Sequence, residues 1–379
     1  MGCQKLSRQS LHLVLGSGRG PYGLASMDIS RLFYTSWQEA KAAEAKPKEN
    51  GSLLWGTKRS EPEPSIYYST LRSPGSVSSS DRFRDAFALF GKSKIVCSDA
   101  GGFVTMYNTE SHSFTSLPKM NSPKGPRYVA LSIPRTAAHA MADFEIHPDV
   151  DSAMFGDKLL GGNHTESLYM MDMVPDKVCS FEALVYYPVS RWCWRPLPPP
   201  PFHSDPKYRT PHNIPFALVD GTMICVSSDK ATYCFDTVAM EWNKAGDWVL
   251  PFLSKLEYDT ELKMWFGMSA HKPYRLCAVD LSGVAMGSCE KLPAVRDVGL
   301  EVDLPKNWEL IDAALVKLGS GRFCIARFFD VTDEYGDYEY DVVAFTGVEV
   351  APSRAEEGVL SIVNHKTECL VTDDIERLL

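Results

Sequence analysis

The hydrophobic pattern of this chain is that of short strands. From Ala86 onward, apolar runs at 94–98, 103–107, 113–117 and 128–133 are separated by turn-forming stretches at 99–102, 108–110 and 118–125. A second set covers 168–172, 181–187 and 192–197, and a third covers 216–219, 222–227, 232–235 and 241–244. Less regular runs follow at 255–258, 264–267, 275–279 and 289–292, then at 313–318, 323–329 and 338–350. Strict alternation is weak. The run 340–350 is almost wholly apolar or small, as expected of a sheet covered on both faces.

A repeated ruler groups these strands. Tyr107 and Phe114, Tyr187 and Trp194, and Phe235 and Trp242 are each seven residues apart, and Leu117-Pro118 and Leu197-Pro198 follow the first two pairs at the same distance. An aromatic, a turn, a second aromatic and then Leu-Pro reads as the two outer strands of a propeller blade. The expected fold is all-β: a β-propeller of about six four-stranded blades. A ring of sheets must be closed, and pairing an N-terminal with a C-terminal strand in one blade does so. Residues 11–15 and 360–363 are the candidates for that clasp.

This reading makes one propeller domain of 11–372, between tails at 1–10 and 373–379. Two stretches interrupt it: 39–64, rich in Ala, Lys and Glu and then in Pro, and the Ser-rich 73–82. Both are expected to be mobile surface loops, the first with at most a short helix.

Composition narrows the partners. The 44% hydrophobic content, with 18 Phe, 16 Tyr and 8 Trp, supplies an extensive core. A net charge of −9 argues against nucleic acid, which needs a broad positive face. No apolar run is long enough for a membrane-spanning helix. Gly2 and Cys3 invite acylation, but Leu6 stands where the myristoylation pattern wants Ser or Thr. The ten cysteines form no CxxC pair, and several, such as Cys225 and Cys324, sit in apolar runs where a free thiol serves as a small hydrophobe. A reducing compartment is expected, the cytoplasm with the nucleus also allowed.

Candidate chemistry is sparse. His139, Asp143, Glu145, His147 and Asp149 combine imidazoles and carboxylates that one curve of backbone could gather around a metal, yet no HExxH helix supports them, and a solvated loop is the expectation. The acidic run Asp330, Asp333, Glu334, Asp337, Glu339 and Asp341 fails the calcium-loop rule, with Thr332 and Tyr335 at its third and sixth positions, and reads as a hairpin tip. Pro196 and Pro198 to Pro201 could present a polyproline ligand but suit a stiff inter-blade connector better. Asn163-His164-Thr165 is a glycosylation sequon, void in a reducing compartment. Nucleophile-elbow and phosphate-loop patterns are missing from the sequence. No catalytic, cofactor-binding or metal-binding residue is assigned, and no enzymatic activity is expected.

The Asp99-Ala-Gly-Gly102 turn, the Tyr107-Asn-Thr109 triplet, the spaced aromatics and the Leu-Pro pairs together resemble a degenerate kelch repeat, although Gly101-Gly102 and Gly161-Gly162 are the only adjacent glycines. Longer strings resemble a family of uncharacterised plant proteins, expanded in grasses and known as a domain of unknown function. They are Ser30-Arg-Leu-Phe-Tyr34, residues 197–202 (LPPPPF), Phe235-Asp-Thr237 with 246–252 (GDWVLPF), Leu276-Cys-Ala278 and 319–329 (GSGRFCIARFF). The resemblance implies a kelch-like propeller in a plant cell and brings no catalytic residues with it. The functional expectation is a monomeric interaction scaffold or adaptor for another protein, recognising it through loops such as 39–64 and 134–162. Two alternatives stand beside it: a channel-centred enzyme or small-molecule binder, and a substrate-recognition subunit for ubiquitin transfer whose F-box is supplied elsewhere.

Overall fold

The computed structural model describes residues 6–16, 21–45, 58–59, 64–68, 85–140, 165–175, 178–187, 191–284, 291–299, 305–353, 359–372 and 375–379. The chain begins with the antiparallel strands β1 (Ser10–Gly16) and β2 (Tyr22–Asp28), a 3-10 turn at Ile29–Leu32 and helix α1 (Trp37–Glu44), followed by β3 (Lys58–Arg59) and β4 (Ile66–Tyr68). Blade 2 holds β5 (Ala86–Phe90), β6 (Lys94–Ser98), β7 (Val104–Asn108) and β8 (Ser113–Leu117); blade 3 holds β9 (Tyr128–Pro134), β10 (Glu166–Asp172), β11 (Phe181–Tyr187) and β12 (Arg191–Pro196). Blade 4 is β13 (Phe216–Val219), β14 (Met223–Ser227), β15 (Thr232–Asp236) and β16 (Glu241–Gly246), and blade 5 is β17 (Glu257–Asp259), β18 (Met264–Met268), β19 (Leu276–Val279) and β20 (Val295–Gly299). Blade 6 has the long strands β21 (Trp308–Gly319), β22 (Arg322–Thr332), β23 (Tyr338–Pro352) and β24 (Leu360–Val371), with β3 added in parallel outside β24. The last strand, β25 (Ile375–Leu378), returns to blade 1, whose order is β25-β1-β2-β4.

Each gap between blades is filled by one apolar cluster, because every strand sends alternate side chains to the blade on either side. Val14 and Leu24 meet Phe87 and Cys97 of blade 2; Ala88 and Val96 meet Leu168 and Leu184 of blade 3; Tyr169 and Phe181 meet Val226 and Phe235 of blade 4. Ala217 and Cys225 meet Trp265 and Val279 of blade 5, and Phe266 and Leu276 meet Phe323 and Ile325 of blade 6. The circle ends where Cys324, Ala326 and Phe345 of blade 6 meet Leu11, Leu13 and Leu15 of blade 1. The six blades therefore form a closed ring.

Closure joins the N- and C-terminal strands as anticipated, but through a different partner. Leu13 and Val14 pair with Leu378 and Arg377 of β25, and His12 and Leu379 exchange backbone hydrogen bonds of 3.0 and 2.9 Å. The segment 360–363, expected in the clasp, belongs to β24 in blade 6, and the residues read as a C-terminal tail form the closing strand. The four-residue β25 is too short and polar to stand out as a strand in sequence, whereas the long apolar β24 does. The presumed N-terminal tail is also docked: Ser7 donates N–H and O–H to the Leu318 carbonyl, and Arg8 donates to the carbonyls of Ser10 and Leu379.

Three further corrections follow. The strands at 94–133 do not form one blade, because β9 opens blade 3 and β5 leads blade 2. The long segment 135–165 lies inside blade 3, between its first and second strands, so its length gives no blade boundary. The 39–64 stretch is not wholly a mobile excursion: α1 buries Ala40, Glu44 accepts from Asn364 Nδ2 at 2.9 Å, and β3 pairs with Cys369 and Leu370. The rest of it, and 73–82, lie outside the described residues.

The aromatic ruler has a physical cause. Tyr107 faces Phe114 and Phe235 faces Trp242 across the outer hairpins, with ring centroids 4.9 and 5.0 Å apart. In blade 3 the hairpin is tighter, so Trp194 pairs with Leu184 and it is Tyr186 that faces Trp192. The Leu-Pro spacing survives because it serves another bond: Trp194 Nε1 donates to the Pro118 carbonyl of blade 2 at 3.0 Å, and Trp242 Nε1 to the Pro198 carbonyl of blade 3 at 2.9 Å. Each indole thus ties its blade to the one before. Trp194 is 7% exposed, whereas Trp242, at the matching repeat position, is only half-buried, and Phe114 is 45% exposed. The triplets Tyr107-Asn-Thr109 and Phe235-Asp-Thr237 also share a role. Asn108 and Asp236 accept the N–H groups of their own turns, while Thr109 and Thr237 each give N–H and O–H to one carbonyl of the preceding hairpin, Ser93 and Thr222.

Cys225 and Cys234 face each other across β14 and β15 and are joined in a disulfide, which corrects the reading of Cys225 as a free thiol. Among the described residues, Cys97, Cys179, Cys277 and Cys324 are free thiols. Burial drives the Cys324 thiol up to about 12 and the Cys277 thiol to about 11, so neither is a nucleophile at neutral pH.

The string 30–34 straps the outside of blade 6. A Cβ at Gly347 would lie 2.5 Å from the Leu32 carbonyl, so the strap's close approach requires glycine there. Tyr34 N–H donates to His365 Nδ1 at 3.1 Å, which leaves the proton on Nε2 for Glu349 at 3.2 Å; Arg322 reaches the same carboxylate at 3.1 Å and lies over the Phe33 ring. Burial opposes ionisation of Glu349, but the His365 and Arg322 hydrogen bonds outweigh it and hold its pKa below the ordinary value.

Removing 375–379 is expected to lower the melting temperature sharply and to produce aggregates, because it uncovers the edge of β1 and opens the ring. A melt and a sizing profile indistinguishable from the full chain would contradict closure by β25. For Glu349, the depressed folded-state pKa means its stabilisation is present above the unfolded carboxylate value and is lost as pH falls through the folded one. Glu349→Gln is therefore expected to destabilise at neutral pH and to flatten the acid limb of stability against pH, read by denaturant titration; parallel profiles would refute the coupling.

Candidate functional site

The innermost strands β5, β9, β13, β17, β21 and β25 line a central channel, and at the face where they begin, groups from four blades converge. The approach to blade 3 is anchored first. Residues 118–127 link blades 2 and 3, and their Lys124 is fully buried against Glu182 of β11, also donating to the carbonyls of Ser122 and Cys179 at 3.0 and 3.1 Å. Asn121 saturates the second oxygen of Glu182, and Asp172 accepts the Gly125 N–H at 2.7 Å. These bonds fix the segment that delivers Pro126, Arg127 and Tyr128 to the channel.

Tyr128 answers a specific need there. As an edge strand, β5 leaves backbone groups unpaired, and the Tyr128 hydroxyl accepts from Phe87 N–H at 2.9 Å and donates to Phe87 C=O at 2.7 Å. Arg377 of β25 lies over the Tyr128 ring at 4.9 Å and donates to the Pro126 carbonyl at 2.9 Å, while Arg127 donates to the carbonyls of Thr210 and Pro211 at 3.0 and 3.4 Å. From blade 6 comes Asp312. A bulge in β21 skips Ile311, which sends its carbonyl to the Tyr274 hydroxyl at 3.0 Å and re-aims the next residue. Asp312 is exposed to water, with protein packed on one side of it. This desolvation raises its pKa, opposed by the Ala313 N–H at 2.7 Å and by the charges of His212 and Arg377. The mouth thus sets Arg377 and the His212 imidazole near one carboxyl, with Arg127 tied to the backbone just before His212, an arrangement suited to holding a polar or acidic group.

The residues singled out in sequence fall elsewhere. His139 is buried; its Nδ1 accepts from Thr136 and its Nε2 donates to Thr237 Oγ1 at 2.9 Å, so it fastens the end of β9 to blade 4. Asp143, Glu145, His147, Asp149, Asn163 and His164 lie outside the described residues. Among the described residues no group of three or more His, Cys, Asp or Glu side chains could hold a metal. The acidic run forms a hairpin tip between β22 and β23: Asp333 Oδ1 accepts from Tyr335 and Asp337 N–H at 2.9 Å, and Gly336 takes φ of 86°. The proline tract is a connector, with Phe202 buried at its end. Sequence reasoning missed the mouth because Arg127, His212, Asp312 and Arg377 are far apart in the chain and none carries a motif; only the ring brings them together.

Fold and site together define a closed six-bladed propeller with a polar channel mouth. The chain belongs to the family described as a protein of unknown function, DUF1668, which matches residues 8–370. Among curated proteins none matches. Similar solved structures include the extracellular domain of a one-component system from B. thetaiotaomicron (11% identity, TM-score 0.31, covering 76% of this chain and 35% of that one). Others are dipeptidyl peptidase 4 of Porphyromonas gingivalis (10%, 0.29, 74% and 44%) and the WD40 domain of SCAP from fission yeast (8%, 0.31, 82% and 69%). This chain spans less than half the length of the first two.

Lys124→Met is expected to cost about 3–5 kcal/mol in denaturant titration, because it strands the Glu182 charge in the interior, and Lys124→Met with Glu182→Leu should recover most of that. A single variant as stable as the parent would show that the pair does not hold the segment.

Proposed function

We propose that this chain is a non-catalytic interaction scaffold or adaptor that binds another protein, as a monomer, through the face bearing the channel mouth. The supporting observation is the reach of blade 6. Its strands run 12, 11, 15 and 12 residues, against three to seven in blades 2 to 5, so the β22–β23 hairpin extends past the other strands. The extension is held from below by its own cluster, Leu310, Phe329, Val331 and Val342. At its tip Tyr335 is 83% and Tyr338 59% exposed, flanked by Asp333, Glu334, Asp337 and Glu339. Exposed tyrosines on a rigid hairpin supply contact area at low entropic cost, which suits a protein partner. The setting for this reading is the cytoplasm or nucleus of a plant cell, with a kelch-type repeat as the scaffold.

A second reading, a small-molecule binder or enzyme centred on the channel, is favoured by the gathering of Asp312, His212, Arg377 and Arg127. One experiment separates the two. The full chain is used as bait in plant extract, beside Tyr335→Ser with Tyr338→Ser and beside Asp312→Asn, and captured proteins are quantified by mass spectrometry. The scaffold reading expects the hairpin variant to lose a discrete set of partners at least tenfold with its melting temperature unchanged, and Asp312→Asn to keep them. Identical capture by parent and hairpin variant would sink it.

A further inference from the structure

Among the described residues, Arg327 is a buried cation with no ion pair. Arg327 projects from β22 toward blade 5: Ile325, two residues before it, belongs to the cluster between blades 5 and 6, and Phe329, two after, to the cluster beneath the extended hairpin. Its cross-strand neighbours are Ala313 and Ala344, with Cys369 next in the row, so small side chains flank the guanidinium. The residue is 2% exposed, and its Nε and Nη2 have no hydrogen-bond partner. Among the described residues, Lys124 is paired with Glu182 and Arg322 with Glu349. Burial lowers the Arg327 pKa only to about 10, leaving it charged at neutral pH. An unpaired interior charge is strongly unfavourable, and the usual remedy is an anion.

The geometry of the two unsatisfied nitrogens says which kind. Nε and Nη2 share one edge of the guanidinium plane, the edge that presents two parallel N–H groups to the oxygens of a carboxylate or a phosphate. We propose that Arg327 is the fixed cation of an oxyanion-binding site between blades 5 and 6, taking a small carboxylate or phosphate ligand. Tyr274 packs against both flanking clusters and is anchored to the Ile311 carbonyl, which places it to cover the site.

The test uses the full chain in equilibrium dialysis against labelled phosphate and labelled acetate, at constant ionic strength in chloride. Saturable binding of one of them, near one per chain, is expected; phosphate preferred over acetate marks a phosphoryl ligand, and the reverse marks a carboxylate. Arg327→Met should abolish the binding while melting no lower than the parent in chloride, and Arg327→Lys, which keeps the charge but loses the paired N–H edge, should bind at least tenfold more weakly. No saturable binding of either anion, or binding that survives Arg327→Met, would overturn the proposal as an adventitious ion only. Should Met fail to fold, the Lys variant decides, unchanged affinity counting against the site. Should neither fold, anomalous scattering from parent crystals soaked in selenate decides: an ion at Arg327 supports the site, and ions only elsewhere refute it.

Discussion

The backbone pairing of β1 with β25 is the constraint on which the rest of this structure rests. A blade of four strands has two open edges and two apolar faces, and no blade can bury both faces by itself. Only a closed circle gives every face a partner. Here the last gap is filled when Leu11, Leu13 and Leu15 meet blade 6 while Val14, on the opposite face of the same strand, meets blade 2. That strand stays in place because β25 covers one edge and β2 the other. Arg8, which donates to the Leu379 carbonyl, and Ser7, bound to Leu318, fasten the same junction from outside the ladder.

The links between blades also explain several of the longer strings in the sequence. Residues 197–202 and 246–252 are the connectors from blade 3 to 4 and from blade 4 to 5, and both bury an aromatic, Phe202 and Phe252. Trp194, Trp242 and Trp265 each hand an indole N–H to a carbonyl of the preceding blade. Gly321, with φ of 63°, brings the β21–β22 turn against the Val350 carbonyl, where a Cβ would sit at 2.4 Å. Such strings record how one sheet is locked to the next.

Polar groups are used sparingly and by position. Within the walls, Lys124 with Glu182 and Arg322 with Glu349 are neutralised locally and set loops and straps in place. At the channel mouth, Arg127 and Arg377 spend part of their donors on backbone carbonyls, and Arg377 keeps its charge near Asp312 beside His212. Arg327 is the departure from this order, and a sheet position between two alanines is an unusual place to keep a charge unless something answers it.

By itself the sequence determined the local structure and its repetition. The runs at 94–98, 181–187 and 216–219 are strands with those bounds, because strand formation in a sheet buried on both faces is written in contiguous apolar residues. The Tyr-Asn-Thr and Phe-Asp-Thr turns and the Leu-Pro spacing were legible for the same reason: their bonds fall within one hairpin or to the adjacent blade. Tertiary structure alone decided the phase of the blades, the identity of the closing strand and the make-up of the channel mouth. Ile375–Leu378 is a strand only because β1 offers it an edge, and Cys225 meets Cys234 only through the register of β14 with β15. Asp312, His212 and Arg377 become neighbours only when the ring shuts, since contacts between residues far apart in the chain depend on topology, and topology leaves no local trace in composition or period.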